Sequence, residues 1–202
     1  MWLHHFDWPY RQTLRAPWYS GLAQGNGLSM LVRAARHSDN SSFGAAAHQA
    51  FESMRLDVSQ GGVIVTEPNG NVWIEEYMVD PPSHILNGYI WALWGVYDYA
   101  KWCGDAAAWS LWHRCVPTLL ARIDAYDTGW WSLYELPVTG ATPMLASRYY
   151  HTLHITQLHV MHRLTGIGAF RDHAIRFEQY LAGRHNVARA FVGKALFKLR
   201  NY

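Results

Sequence analysis

Three short segments gather acids, phenols and cations in this 202-residue chain. The first holds Glu75, Glu76 and Tyr77, the second Asp127, Trp130, Trp131, Tyr134 and Glu135, and the third Arg148, Tyr149, Tyr150, His151 and His154. A carboxylate or phenolate facing an opposed acid can remove a proton and return it. A tyrosine hydroxyl ordinarily titrates near about 10, so a shuttling tyrosine needs a neighbouring cation, for which Arg148, His151 and His154 are candidates. Arg148 also opens a helix, whose positive end and the guanidinium fork both suit a sugar carboxylate. A plainer reading stands beside each of these. In a strand Glu75 and Glu76 point to opposite faces, with Tyr77 on the face of Glu75, so one acid meets solvent while Tyr77 packs. Tyr149 and Tyr150 then fill a core, and the histidines are satisfied hydrogen-bond donors.

Other residue classes narrow the chemistry. His151, His154, His159 and His162 share a helical sector, but no HExxH pattern or adjacent acid completes a metal set, so no metal is expected. Eleven Trp and twelve Tyr suit stacking on sugar rings, with Trp130-Trp131 the pair of interest, because adjacent indoles on a strand cannot face one core. Cys103 and Cys115 fit buried thiols at least as well as a bridge. With 17 basic against 15 acidic residues, a dedicated nucleic-acid binder has little support. Positive charge does collect after Gly183, at Arg184, Arg189, Lys194, Lys198 and Arg200, as a solvated helix face or a contact for a polyanion. No signal-peptide pattern and no run of about 18 apolar residues occurs, so no membrane span is expected and the chain reads as soluble, cytoplasmic as encoded.

The elements that must position these residues are mainly helices. Apolar spacings of three and four predict helices over 20–37 and 43–55, then from 85 to the late 90s, over 106–126, 145–164 and 170–181. Between them, 63–65 and 72–77 around the Pro68-Asn69-Gly70-Asn71 turn predict a β-hairpin, and 130–136 a second strand-like insert. The pattern predicts one all-α domain over 1–202, an array of helical hairpins such as an incomplete α/α toroid, with short β-hairpin inserts lining its open end.

The sequence resembles the C-terminal helical domain of the D-glucuronyl C5-epimerases of heparan sulfate and heparosan. The likeness rests on Trp18-Tyr19-Ser20-Gly21-Leu22-Ala23-Gln24-Gly25, Leu31-Val32-Arg33-Ala34, Glu75-Glu76-Tyr77, Pro82-Ser83-His84-Ile85-Leu86-Asn87-Gly88, Tyr126-Asp127-Thr128-Gly129, Leu133-Tyr134-Glu135-Leu136 and Tyr150-His151-Thr152-Leu153-His154-Ile155-Thr156-Gln157-Leu158. It implies abstraction of the C5 proton of a glucuronic acid residue in an anionic polysaccharide and its return from the opposite face, giving iduronic acid, with no cofactor. By motif it implies Glu76 and Tyr150 on opposite faces of C5, Tyr77 and Tyr134 supporting the developing charge, and Arg148, His151, His154, Trp130, Gln24 and Asn87 among the substrate-binding residues. It further implies a homodimer as a candidate assembly, and a Golgi lumen setting for animal members.

Two departures from the family pattern carry expectations of their own. Pro137 stands where the family has an arginine three residues after the tyrosine of the second loop, leaving Arg148 to compensate. The N-terminal β-rich region of the full enzymes is expected to be absent, the chain beginning almost at the helical domain. Two rival readings follow: a catalytically weak remnant that binds uronic-acid polysaccharide, and a uronate lyase, which shares the first proton abstraction but expels the C4 substituent.

Overall fold

The computed structural model describes residues 1–138 and 140–201, without the side chains of 200 and 201, so Arg200 of the basic tail lies outside the described side chains. Seven α-helices occur among the described residues: α1 Gly21–His37, α2 Ser42–Met54, α3 Leu86–Cys103, α4 Ala106–Arg122, α5 Arg148–Thr165, α6 Gly168–Ala182 and α7 Arg184–Asn201. Two antiparallel ribbons accompany them, β1 Trp8–Pro9 with β2 Thr13–Leu14, and β3 Ile64–Thr66 with β4 Val72–Ile74. The chain is thus mostly helical with short hairpins, as its periodicity predicts. It divides into two compact units, Met1–His84 with Gly88–Thr118, and Ile85–Asn87 with Leu119–Tyr202. No described helix is long and apolar enough to cross a membrane.

In the first unit Ser20 caps α1, its hydroxyl accepting from the Ala23 amide at 3.0 Å. Leu28 and Val32 turn inward from the same helix. Gly25 lies directly against Ala92 of α3, and Gly95 against the Gly25 carbonyl; a Cβ at either glycine would overlap backbone atoms. The absent side chains let the two helices cross at backbone contact. Trp73 of β4 lies between the His84 ring, centroids 4.2 Å apart, and Tyr89, 4.9 Å away. The Tyr89 hydroxyl reaches the Val72 and Cys115 carbonyls, 2.9 Å each, tying hairpin to helices. Cys115 is a buried free thiol and Cys103 an exposed one.

In the second unit α5 and α6 form a helical hairpin around Leu158, Met161, Phe170 and Phe177, all fully buried. Ser147 caps α5, accepting from the Tyr150 amide at 3.3 Å. The Gly166 amide, in left-handed backbone, ends α5 on the His162 carbonyl.

The expected inserts are corrected in two places. The β4 strand stops at Ile74 and does not reach Tyr77: the Glu75 amide still donates to the Val63 carbonyl, but the Glu75 carbonyl is taken by the Gly21 amide of α1. The 130–136 insert is no strand; its backbone makes only single bridges, Asp127 with Ser132, Leu133 with Leu145 and Ile85 with Glu135, and never meets one continuous partner.

The Gly25–Ala92 crossing yields a stability prediction. Gly25→Ala adds helix propensity of about 1 kcal/mol, but its methyl meets backbone that cannot rotate away. Overpacking of this kind costs about 1–3 kcal/mol. We expect a net loss of stability, read as a lower urea midpoint at unchanged m-value; an unchanged or higher midpoint would refute the tight crossing.

Candidate active site

The first unit carries an acid pair with two different fates. Glu75 is buried and saturated: its Oε2 accepts from the Ser83 amide at 3.2 Å, the Ser83 hydroxyl at 3.1 Å and the His84 amide at 3.0 Å, while Oε1 lies 2.5 Å from His84 Nδ1. Glu76 is buried too, yet its Oε2 has no hydrogen-bond partner among the described residues. Burial pushes the Glu76 carboxyl up to about 7; the hydrogen bond donated by the Tyr77 hydroxyl pulls it down, and the adjacent Glu75 charge pushes it further up. Gly88, at the start of α3, leaves the room that this carboxyl fills, since a Cβ there would overlap it.

Tyr77 therefore serves Glu76 rather than sharing a strand face with Glu75. With the strand ended at Ile74, the two-residue alternation no longer applies. Its ring also packs against Tyr10, centroids 4.7 Å apart, and against Trp18 at 5.8 Å. Gln24 is fully buried and its amide is spent on Trp2, accepting from the amide and donating to the carbonyl, 2.8 Å each. That geometry makes it a clamp on the N-terminal segment.

The second unit holds the other expected residues. Trp131 is fully buried, stacks on the His151 ring at 3.8 Å and donates from its indole to the Ala146 carbonyl at 2.9 Å. His151 Nε2 must donate to the Phe177 carbonyl, 2.9 Å away, so Nδ1 accepts, from the Ser132 amide at 3.2 Å and the Ser132 hydroxyl at 2.7 Å. Ser132 Oγ then receives His154 Nδ1–H at 3.0 Å. Burial lowers both rings, His151 to about 4 and His154 to about 3, so both are neutral at pH 7. Neither histidine supplies a cation, and neither is exposed to a ligand. They brace the loop that carries the next residue.

That residue is Tyr134, whose amide donates to the Met144 carbonyl at 2.8 Å and whose carbonyl accepts from the Leu86 amide at 3.1 Å. Its ring meets Tyr150 of α5 at 4.8 Å, so the fold brings these two expected tyrosines together. Arg148 is exposed on the first turn of the same helix, and Tyr149 is 71% exposed, excluding a core role. One face of Trp130 is covered by the Arg189 guanidinium at 3.9 Å. The Asn87 carbonyl accepts from the Gln157 amide at 3.0 Å. Glu135 is buried and pushed up to about 8 by burial, with Lys194 pulling it down.

Sequence reasoning passed over Ser132, and named Lys194 only as one cation of the basic tail. Ser132 had no signal beyond its place after two tryptophans. The inward position of Lys194 was marked by Val187 and the buried Ala190, which lead to it at spacings of three and four on α7. The expected histidine set takes separate partners, His159 on Glu178 at 2.8 Å and His162 on the Ile167 carbonyl at 3.0 Å. No group of three or more metal-ligating side chains occurs among the described residues.

The class defined so far is a mostly helical protein with a buried carboxyl raised to near neutral pH and a packed pair of tyrosines. The sequence pattern described as D-glucuronyl C5-epimerase C-terminus matches residues 2–179, and the chain belongs to that family. It is 33% identical over 152 residues to the D-glucuronyl C5-epimerase of Caenorhabditis elegans, a match covering 68% of this chain and 24% of the relative. It is also 25% identical over 169 residues to an uncharacterised protein of Methanocaldococcus jannaschii, covering 82% of this chain and 53% of that one. The chain thus spans about a quarter and about half of the lengths of these two relatives.

Glu76 sets a pH dependence. Its carboxyl is about 7 when folded against an ordinary 4.5, so folding favours the protonated form. That contribution is complete below about pH 4.5 and is lost as pH rises to about 7. The difference amounts to roughly 3 kcal/mol. Glu76→Gln, neutral at every pH, is expected to gain stability over wild type between pH 5 and pH 9, measured as paired urea midpoints. Parallel pH profiles of the two proteins would refute the raised carboxyl.

Proposed function

We propose that this chain is the polysaccharide-handling domain of a glucuronyl C5-epimerase, acting on glucuronic acid residues of a heparosan- or heparan-type chain. The observation that carries the reading is Glu76: a buried carboxyl, hydrogen-bonded by Tyr77 and poised near neutral pH, where a general base is half ionised and transfers protons in both directions with little driving force against it. The C5–H bond lies next to the sugar carboxylate, so breaking it moves an electron pair toward that group. Glu76 exchanges the proton with C5: its oxygen takes or returns the C5 proton on one face of the ring, and transfer at the opposite face, a role the family motifs assign to Tyr150, inverts the centre. Tyr134 donates a hydrogen bond to the charge that builds meanwhile, and Tyr77, whose proton is released by Glu76 as that carboxylate takes up the C5 proton, donates a second. Oxidation state does not change, so the step calls for no redox cofactor. The reading also treats 1–202 as one functional domain, its helical hairpins part of an incomplete α/α toroid, and takes a homodimer as its working assembly.

Incubating the protein with heparosan in deuterated water and following C5 by NMR tests this. Deuterium at C5 with iduronic acid is expected, and Tyr150→Phe is expected to lower exchange by about a hundredfold or more. Equal traces of exchange in wild type and Tyr150→Phe would sink the catalytic reading and favour a binding remnant. An unsaturated product absorbing in the ultraviolet would indicate a lyase instead.

A further inference from the structure

The helix α7 begins at Arg184, beyond the family match that ends at residue 179, and walls the cavity of about 930 Å³ in the second unit. Among the described residues four cations line this cavity, Arg148, Arg184, Lys194 and Lys198, and no acid does. Its remaining wall is largely apolar, with Trp131 and Phe191 the large side chains. We propose that this cavity binds a uronate residue of the polysaccharide, with Lys194 as the cation that receives its carboxylate.

Lys194 differs from its basic neighbours in burial. It is half-buried, whereas Arg148, Arg184 and Lys198 are exposed. Its ammonium lies 5.5 Å from the centre of the Tyr134 ring, which itself meets Tyr150 at 4.8 Å. It takes part in no ion pair among the described residues. Burial foremost, and Lys198 after it, push the ammonium below its ordinary range, while Glu135 pulls it back. A partly dried cation is costly without a counter-charge, and an arriving carboxylate relieves that cost. The apolar wall suits the hydrogen-bearing face of a sugar ring, and the ring of four cations suits a substrate that is acidic at intervals. The negative charge built on a uronate carboxylate during C5 proton loss would lie against Lys194, a stabilisation that grows as the charge grows. This last step and the choice of a uronate rest on the epimerase reading; the preference for a carboxylate at Lys194 does not.

Calorimetric titration with heparosan oligosaccharides and with the same oligosaccharides reduced at their carboxyl groups tests the subsite apart from activity. Wild type is expected to prefer the carboxylated ligand by about tenfold or more, the worth of one hydrogen-bonded charge pair. Lys194→Met and Lys194→Gln are expected to erase that preference and Lys194→Arg to keep most of it, thermal melting confirming that each is folded. A carboxylate preference unchanged in both neutral variants overturns the proposal. Deuterium exchange separates the two claims. Exchange that needs Tyr150 but leaves the preference intact in Lys194→Met removes the subsite and spares the epimerase. Absent exchange in wild type, with a preference that vanishes in Lys194→Met, removes the epimerase and supports the subsite.

Discussion

Glu75 makes a chain of bonds on which the first unit's chemistry depends. Its amide donates to the Val63 carbonyl at 2.8 Å, its carbonyl accepts from the Gly21 amide at 2.9 Å, and its carboxylate collects donors from Ser83 and His84. One residue therefore ties the β3–β4 hairpin, the start of α1 and the approach to α3. The His84 ring, stacked on Trp73, also lies 3.6 Å from Glu67. A buried carboxylate is costly unless its lone pairs are filled, and here they are. The next acid, Glu76, is buried with a far poorer set of donors. Burial is what raises its proton affinity, and the charge of Glu75 adds to it.

The second unit solves a different problem, that of holding an irregular loop still. Asp127 accepts from the Gly129 amide at 2.8 Å and pairs with Arg176 of α6 at 3.0 Å, closing the loop's first turn. Trp131, Ser132, His151 and His154 then form a buried stack and hydrogen-bond chain with directions set by the Phe177 carbonyl. Because both rings stay neutral, this chain braces without adding charge beside the tyrosines. Charge comes instead from outside the family motifs, along α7.

The helical architecture was legible because its signal is local. α1 and α2 fall within a residue or so of their expected bounds, since apolar spacing, the Ser20 cap and the Asn40 side chain on the Ser42 amide act within a few residues. The inserts were not, because β structure needs a partner that local pattern cannot name. The 72–77 segment forms a strand only to Ile74, because the next carbonyl, that of Glu75, goes to the Gly21 amide of α1; the 130–136 segment has β-forming residues but no neighbouring strand to accept them.

The sequence by itself determined the family, the helical class and the presence of Glu76, Tyr77, Tyr134 and Tyr150 in the motifs that carry them. It did so because motif order and helical period are properties of neighbours along the chain. Only the tertiary structure decided that Glu75 is spent on backbone amides while Glu76 keeps a proton to near neutrality, that His151 and His154 are neutral braces, and that Lys194 stands beside Tyr134. Each of these depends on desolvation and on donors brought from distant segments. A carboxyl, imidazole or ammonium takes its protonation from what surrounds it in space, which no local spacing records.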